Sequence, residues 1–503
     1  MRRNLLIGNK WKVVCVFVLL LPFVLSPLIA QYLVPPYSII YEDLRYLRLR
    51  SGRTDLDFLS GPFLYTDIIN FCSSFSFGKQ KKITSSLFCF RSGGSGEKQA
   101  IIAGVNPDLH LVRERKVSRV NPFFRTFSFF SPASGVGIVN VMAVDPRAPD
   151  FEGYIGKEWR GLAGYTEQAY LLIERKFMRI TLGRSYYTKG NGRTGNLTFS
   201  RFCRPMDSFQ FHFRKKFFTM SFILAQLDPI NGKRRYLSSH TFGFRYRNLS
   251  IDFTEAFLYG GSDRIFSFSL LNPFLFFHGE QMNDNSLGLT GNTLGSIAFD
   301  YLFSKWAVYG EVLIDDVQLD KKEPGDLEPN EVGVLLGFES ADILGLDRLY
   351  LGIEYVALTN RTYKTPNEHE WYLHRNVPIG YPLGSDLDRF NVFIKRYLGK
   401  NIRLGFQYNL IRQGEGELDK PWDSPWMKYT IEEGYSEPFP TGVVEYTNKI
   451  EFMLYYLFSY DNYLYFSAGY SRISNYEHNP GVLKNEFFCK VGWWLDFKKA
   501  FYF

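Results

Sequence analysis

Along residues 209–214 apolar and polar positions alternate strictly: Phe209, Phe211 and Phe213 against Gln210, His212 and Arg214. After a short turn at Lys215 and Lys216, Phe218, Met220, Phe222 and Leu224 share one parity, opposite Thr219, Ser221 and Ala225. Successive side chains of a strand point to opposite faces, so this segment reads as a hairpin with one oily and one watery face. The pattern recurs. Phe242, Phe244 and Tyr246 alternate with Gly243, Arg245 and Arg247, and beyond a turn near Asn248, Leu249, Ile251 and Phe253 oppose Ser250, Asp252 and Thr254. Ile402, Leu404, Phe406, Tyr408 and Leu410 alternate in the same way with Arg403, Gly405, Gln407 and Asn409. Tight turns join these strands, while stretches rich in Gly, Pro, Asp and Asn at 321–330 and 414–440 read as long loops. The pattern predicts an all-β fold, an antiparallel transmembrane β-barrel of roughly 16 to 18 strands with short periplasmic turns and extracellular loops.

Both ends of the chain fit this scheme. Phe487, Cys489, Val491, Trp493, Leu495, Phe497, Phe501 and Phe503 have odd parity, against Lys490, Gly492, Trp494, Asp496 and Lys498. Only Lys499 breaks the odd face, and near an interface a Lys reaches water along its own stem. A final strand of alternating aromatics ending in Phe503 resembles the insertion signal read by the barrel assembly machinery. At the other end, residues 1–30 have a basic start, an apolar run from about Val13 to Leu25, and Ala30 before the expected cut, the pattern of a signal peptide. No later stretch is long and apolar enough for a membrane-spanning helix. Tyr41, Leu44 and Leu47 fall at helical spacing before Ser51, Gly52 and Arg53, which predicts a short periplasmic helical segment ahead of the first strand. The expected organisation is a leader over 1–30, the helical segment over 31–60 and the barrel over 61–503.

Composition agrees with a chain that is only half oily. Aromatics reach 18%, with 48 Phe and 33 Tyr, yet hydrophobic residues total 45%, and the mean hydropathy is slightly negative. The formal charge of +8 includes Arg2, Arg3, Lys10 and Lys12 of the leader, so the mature chain carries about +4, too little to imply a nucleic-acid partner. Cys15 lies in the leader; Cys72, Cys89, Cys203 and Cys489 form no C-x-x-C pair and read as small buried thiols, with a Cys72–Cys89 disulfide as the alternative. Neither these nor the seven His suggest a metal site or another cofactor.

Four stretches resemble the capsule assembly protein family Wzi: LGRSYYTKGNGRTGNLTFSRFCRP (182–205), LNPFLFF (271–277), VYGEVLIDD (308–316) and YLHRNVPIGYPLGSDLDRF (372–390). Where that family carries a Trp-Gly-Pro-Gly element, this chain reads Tyr187, Thr188, Lys189, Gly190, Asn191 and Gly192. The resemblance implies an outer-membrane barrel with an N-terminal helical bundle, a lumen largely closed by its own side chains and loops, and a lectin-like role in holding capsular polysaccharide.

Glu311, Asp315 and Asp316 could in principle form the carboxylate pair of a glycoside hydrolase, but a lumenal ion-pair network with Arg179, Arg245, Arg247 and Arg403 explains them more simply. Glu255 shares parity with Phe253 and Phe257, which puts it above the lipid band or past a bulge. His374, Arg375, Asn376, Asp386 and Asp388 beside Trp371 and Tyr381 have the aromatic and polar groups a sugar site needs, as do the loop residues Trp422 and Trp426; an ordinary polar loop is the competing reading. Gly190 to Gly195 (GNGRTG) lacks the Gly-Lys-Ser/Thr ending of a phosphate loop. The leading expectation is a non-enzymatic, monomeric outer-membrane barrel that binds capsular or exopolysaccharide, in contact with outer-membrane lipid; a porin or solute channel is the alternative, and a barrel enzyme a third class.

Overall fold

The computed structural model describes residues 31–73 and 100–502, except 106–107, 115–116, 146–155, 161, 282–287, 319–321, 461 and 496–498. The expected leader, Cys89, Phe497 and Phe503 lie outside them. The strands are β1 (Ala100–Val105 continued by Asp108–Glu114), β2 (Val117–Phe130), β3 (Val136–Asp145), β4 (Leu162–Arg175), β5 (Met178–Ser185), β6 (Met206–Lys215), β7 (Phe218–Ile230), β8 (Lys233–Tyr246) and β9 (Leu249–Gly261). They continue as β10 (Asn292–Phe303), β11 (Trp306–Asp316), β12 (Glu331–Ala341), β13 (Leu349–Leu358), β14 (Leu387–Leu398), β15 (Ile402–Gln413), β16 (Glu445–Leu457), β17 (Asn462–Ser474) and β18 (Leu483–Leu495 continued by Lys499–Tyr502). Each pairs antiparallel with its chain neighbours, and β18 returns to β1 through Lys490 opposite Val112 and Lys499 opposite Ala103, closing the barrel. Closure removes every sheet edge, which a backbone in hydrocarbon requires.

Parity sorts the faces. Phe244, Phe253, Leu336, Phe452 and Trp493 stand exposed on the outer wall, while Ser239, Asp252, Asp300, Glu339 and Arg403 are buried on the lumenal side. Among the described residues no helix is long and apolar enough to cross a membrane. The turns differ between the two ends. At one end 176–177, 216–217, 247–248 and 304–305 link strands tightly, and at the other the chain runs through 186–205, 262–291, 317–330, 359–386 and 414–444. Short turns mark the periplasmic end of such barrels and long loops the outer end.

Residues 31–73 form a plug inside the lumen toward the short-turn end. Helix α1 (Ile40–Ser51) ends at Gly52, whose left-handed φ of 70° lets its N–H donate to the Arg48 carbonyl at 2.9 Å. Its charged side chains meet wall groups: Arg48 bonds Asp300 of β10, Arg45 pairs with Glu339 of β12, and Asp43 accepts from Tyr397 of β14 (2.9 Å) and Tyr460 (2.6 Å), with Arg403 of β15 at 3.4 Å. Leu44 and Leu47 turn to a core formed with Leu33, Phe63, Phe129, Val139 and Leu172. A second helix, α2 (Tyr65–Ser73), adds Ile68 and Phe71 to that core. The expected boundary at residue 60 therefore falls inside the plug: residues 61–73 belong to it because their apolar groups share its core, and the first described strand starts at Ala100. The helical segment also lies inside the barrel rather than ahead of it. Cys72 is a buried free thiol, its pKa pushed up by burial.

Candidate functional site

At the long-loop end, wall carboxylates hold the loops by their backbone. The 186–205 loop turns inward, and Glu354 of β13 accepts the N–H groups of Arg193 (2.6 Å) and Thr194 (2.7 Å) together with the Thr194 hydroxyl. Four residues later the arrangement repeats: Glu311 of β11 accepts from Leu197 N–H (2.8 Å), Thr198 N–H (2.9 Å) and the Thr198 hydroxyl (2.7 Å). Two successive amides around one carboxylate form a small anion nest whose charge-assisted bonds are stronger than neutral ones. A Cβ on Gly195 would sit 2.3 Å from Pro382 Cδ, so only glycine lets this loop touch the 359–386 loop. The inward loop also meets the plug: the Asn191 carbonyl accepts from Arg45 at 2.7 Å, and Arg193 pairs with Glu42 of α1.

The remaining loops follow the same rule. In the 359–386 loop, Asp315 of β11 accepts Tyr363 N–H (2.5 Å), and the Tyr363 hydroxyl donates to the Leu197 carbonyl (2.5 Å). Asp228, near the end of β7, accepts Arg375 N–H (2.7 Å) and faces His374 Nδ1 at 2.9 Å. Asp386 gathers the 414–444 loop by accepting Gly416 N–H (2.8 Å), Thr441 N–H (2.9 Å) and the Thr441 hydroxyl. Arg361 reaches Asp423 and Glu437, each at 2.8 Å, with its guanidinium 4.7 Å above the Trp426 ring. Outside the barrel, Glu255 of β9 accepts Phe277 N–H (2.9 Å) and His278 N–H (2.8 Å) and lies 3.2 Å from His240, so residues 270–278 of the loop after β9 fold down over the outer wall. Phe268 (81% exposed) and Phe274 (72% exposed) stand on that arm.

The model for the capsule assembly protein Wzi matches residues 156–486, well over half of the sequence. The chain belongs to the Wzi family. A solved structure described as Wzi, an outer-membrane protein involved in group 1 capsule assembly in Escherichia coli and a carbohydrate-binding β-barrel, is 13% identical with a TM-score of 0.61, covering 94% of this chain and 100% of that one. At this identity the likeness shows the fold. OprD of Pseudomonas aeruginosa, also an outer-membrane protein, is 9% identical with a TM-score of 0.45, covering 80% of this chain and 94% of that one. Comparison with curated protein sequences gives no match. As a Wzi-family barrel, the chain is an outer-membrane protein.

Within this Wzi-family barrel the residues expected at a sugar site do not form one open surface. Tyr381 and Asp386 are fully buried, His374 and Trp426 nearly so, and Trp371 is covered, its indole N–H donating to the Thr365 carbonyl at 2.9 Å. These groups staple loops to one another and to the wall. Asn376 is exposed, Arg375 and Trp422 half-buried. Asp388 is tied to Arg412 of β15 and Tyr355 of β13. The expected lumenal network is also corrected. Glu311 and Asp315 serve loop amides rather than Arg or Lys, because backbone entering a lumen must have its N–H groups satisfied. Asp316 is exposed beyond a register shift in β11 and accepts from Gln318 at 2.8 Å. Arg247 sits in the β8–β9 turn with its guanidinium against Tyr246. Arg245 and Arg403 do pair inside, with Asp57 (2.8 Å) and Asp252 (2.6 Å) for the first and Asp43 for the second. Arg179 lines a cavity of about 370 Å³ with Asp67, Glu174 and Arg214 at the short-turn end. Glu354 went unnoticed in the sequence, although an acid alone among Tyr350, Gly352, Val356 and Leu358 on one lumenal face is a signal that could have found it.

Among the described residues no group of three or more His, Cys, Asp or Glu could hold a metal ion.

Proposed function

We propose that this barrel binds surface polysaccharide at the outer face of the cell and serves its assembly or attachment, without catalysing a reaction. The observation that carries the reading is the plugged lumen: plug and inward loops meet at Arg45 with Asn191 and at Arg193 with Glu42, which puts a floor beneath the outward loops. Those loops present Asn376 and, in 414–444, the exposed Met427, Tyr429 and Phe439 as well as the half-buried Trp422. Flat rings beside polar groups suit sugar faces and hydroxyls. The Escherichia coli relative, described as carbohydrate-binding, supports the same role. Glu311 and Asp315 are engaged by backbone N–H groups, which removes the carboxylate pair a glycosidase would need free. The protein acts as a monomer inserted by the barrel assembly machinery through its C-terminal strand. Purified protein immobilised in detergent should retain the host's own polysaccharide and leave its chain length unchanged; no retention, or shortened chains, would overturn the reading.

A further inference from the structure

Between the plug, the 186–205 loop and the wall of β14 to β17 lies a cavity of about 390 Å³ whose lining is unevenly charged. Arg193, Arg201, Arg389 and Lys395 all face it, and Glu42 is the one carboxylate among its lining residues. Glu42 is taken by Arg193. Burial alone would raise the Glu42 carboxyl, but Arg193 and Lys395 hold it well below the usual range. Asp43 lies 3.8 Å from Lys395 and is shared with Arg403, Tyr397 and Tyr460.

Two guanidiniums are incompletely neutralised: Arg201 has only a share of Glu42, and Arg389 has no acid among its hydrogen-bond partners. Arg201 lies 3.8 Å from Glu42 and bonds the Arg193 carbonyl, while its buried Nε has no hydrogen-bond acceptor. Burial holds its pKa below the ordinary arginine value. Arg389 rests on neutral oxygens, Asn409 Oδ1 at 2.9 and 2.5 Å and the Tyr381 hydroxyl at 3.4 Å. Phe202 lies half exposed against Arg201, and Tyr455, Tyr463 and Gln407 line the same space.

From this arrangement we infer that the cavity is a binding site for an acidic sugar, a uronate residue whose carboxylate engages Arg201 and Arg389. A planar carboxylate matches the guanidinium fork in two bonds and supplies the negative charge that Arg389 lacks and that Arg201 must share with Arg193. The volume far exceeds what an inorganic anion fills and falls in the range of small-molecule sites. Phe202 and Tyr455 offer ring faces to the apolar side of a pyranose, and Gln407 offers both a donor and an acceptor to its hydroxyls. The inference rests on the polysaccharide-binding reading and adds to it a ligand class and a lumenal location.

Isothermal titration of the full-length protein in detergent with trigalacturonate, and with neutral maltotriose as control, tests it. Trigalacturonate should bind and maltotriose should not. The double variant Arg201→Gln with Arg389→Gln should weaken trigalacturonate binding about tenfold or more, the loss expected for charge-assisted hydrogen bonds. Gln407→Trp, which fills the cavity and leaves the charges in place, should weaken it comparably. Heat-modifiable migration on gels confirms that each variant is folded. Equal binding by wild type and both folded variants overturns the inference, as does a wild type that retains the host polysaccharide yet ignores trigalacturonate. A wild type that retains neither overturns the polysaccharide reading as well.

Discussion

The two ends of the lumen are closed by different chemistry. At the short-turn end, α1 brings its own charges to charged wall groups, Arg48 to Asp300 and Arg45 to Glu339. At the long-loop end, Glu354 and Glu311 bring a charge and the loop answers with neutral amides and hydroxyls. Loss of one partner strands a buried ion in the first case and leaves uncharged donors unsatisfied in the second. The first is the larger penalty.

That difference can be broken most forcefully with Asp300→Asn, which leaves the Arg48 guanidinium buried without its counter-ion. It should loosen the plug by about 3–5 kcal/mol, read as faster hydrogen exchange across 40–51. Glu354→Gln should cost less, about 1–3 kcal/mol, and its exchange signature should centre on Arg193 and Thr194, with the middle of α1 still protected. Equal costs for the two would erase the contrast. Outside the barrel, Glu255→Gln should weaken the arm by about 1–2 kcal/mol, seen as protease cutting within 262–291 while plug and inward loop keep their protection.

The smallest effect concerns the outermost loops. His478 lies 2.7 Å from the Val443 carbonyl and 3.5 Å from Glu417, and although burial alone would lower its pKa, those two oxygens raise it above the ordinary histidine value. The imidazolium therefore joins the 475–482 and 414–444 loops most firmly below about pH 6.5. The contribution is lost as pH rises through the raised value. Protection of 475–482, taken relative to the intrinsic exchange rate at each pH, should fall from about pH 5.5 to about pH 8, and His478→Gln should flatten that dependence.

How much of this was legible in the sequence follows from what alternation encodes. The strict parity of Phe242 to Phe253 reports which face meets lipid, and the structure keeps it. The same parity cannot tell lipid from an arm of the chain itself: Phe222, Ser238 and Phe257 have the outward parity, yet they are buried, and the Ser238 hydroxyl donates to the Leu270 carbonyl of the arm. The helical spacing of Leu44 and Leu47 was readable, but the destination of α1 was not. Its Asp43, Arg45 and Arg48 look like a solvated face until Asp300, Glu339 and Arg403, hundreds of residues away, are brought against them. Tyr381, Asp386 and His374 misled for a related reason. Rings and polar groups that can clasp a sugar can equally staple a loop, and burial, which decides between the two, depends on partners from other loops.

Plug and inward loops meet across the lumen at Arg45 with Asn191 and at Arg193 with Glu42, which obstructs a passage for solutes. Single-protein insertion into planar lipid bilayers measures that directly. An obstructed lumen gives silence under an applied voltage for the wild type, whereas a steady open-channel current from the wild type would show that plug and loops leave a pore.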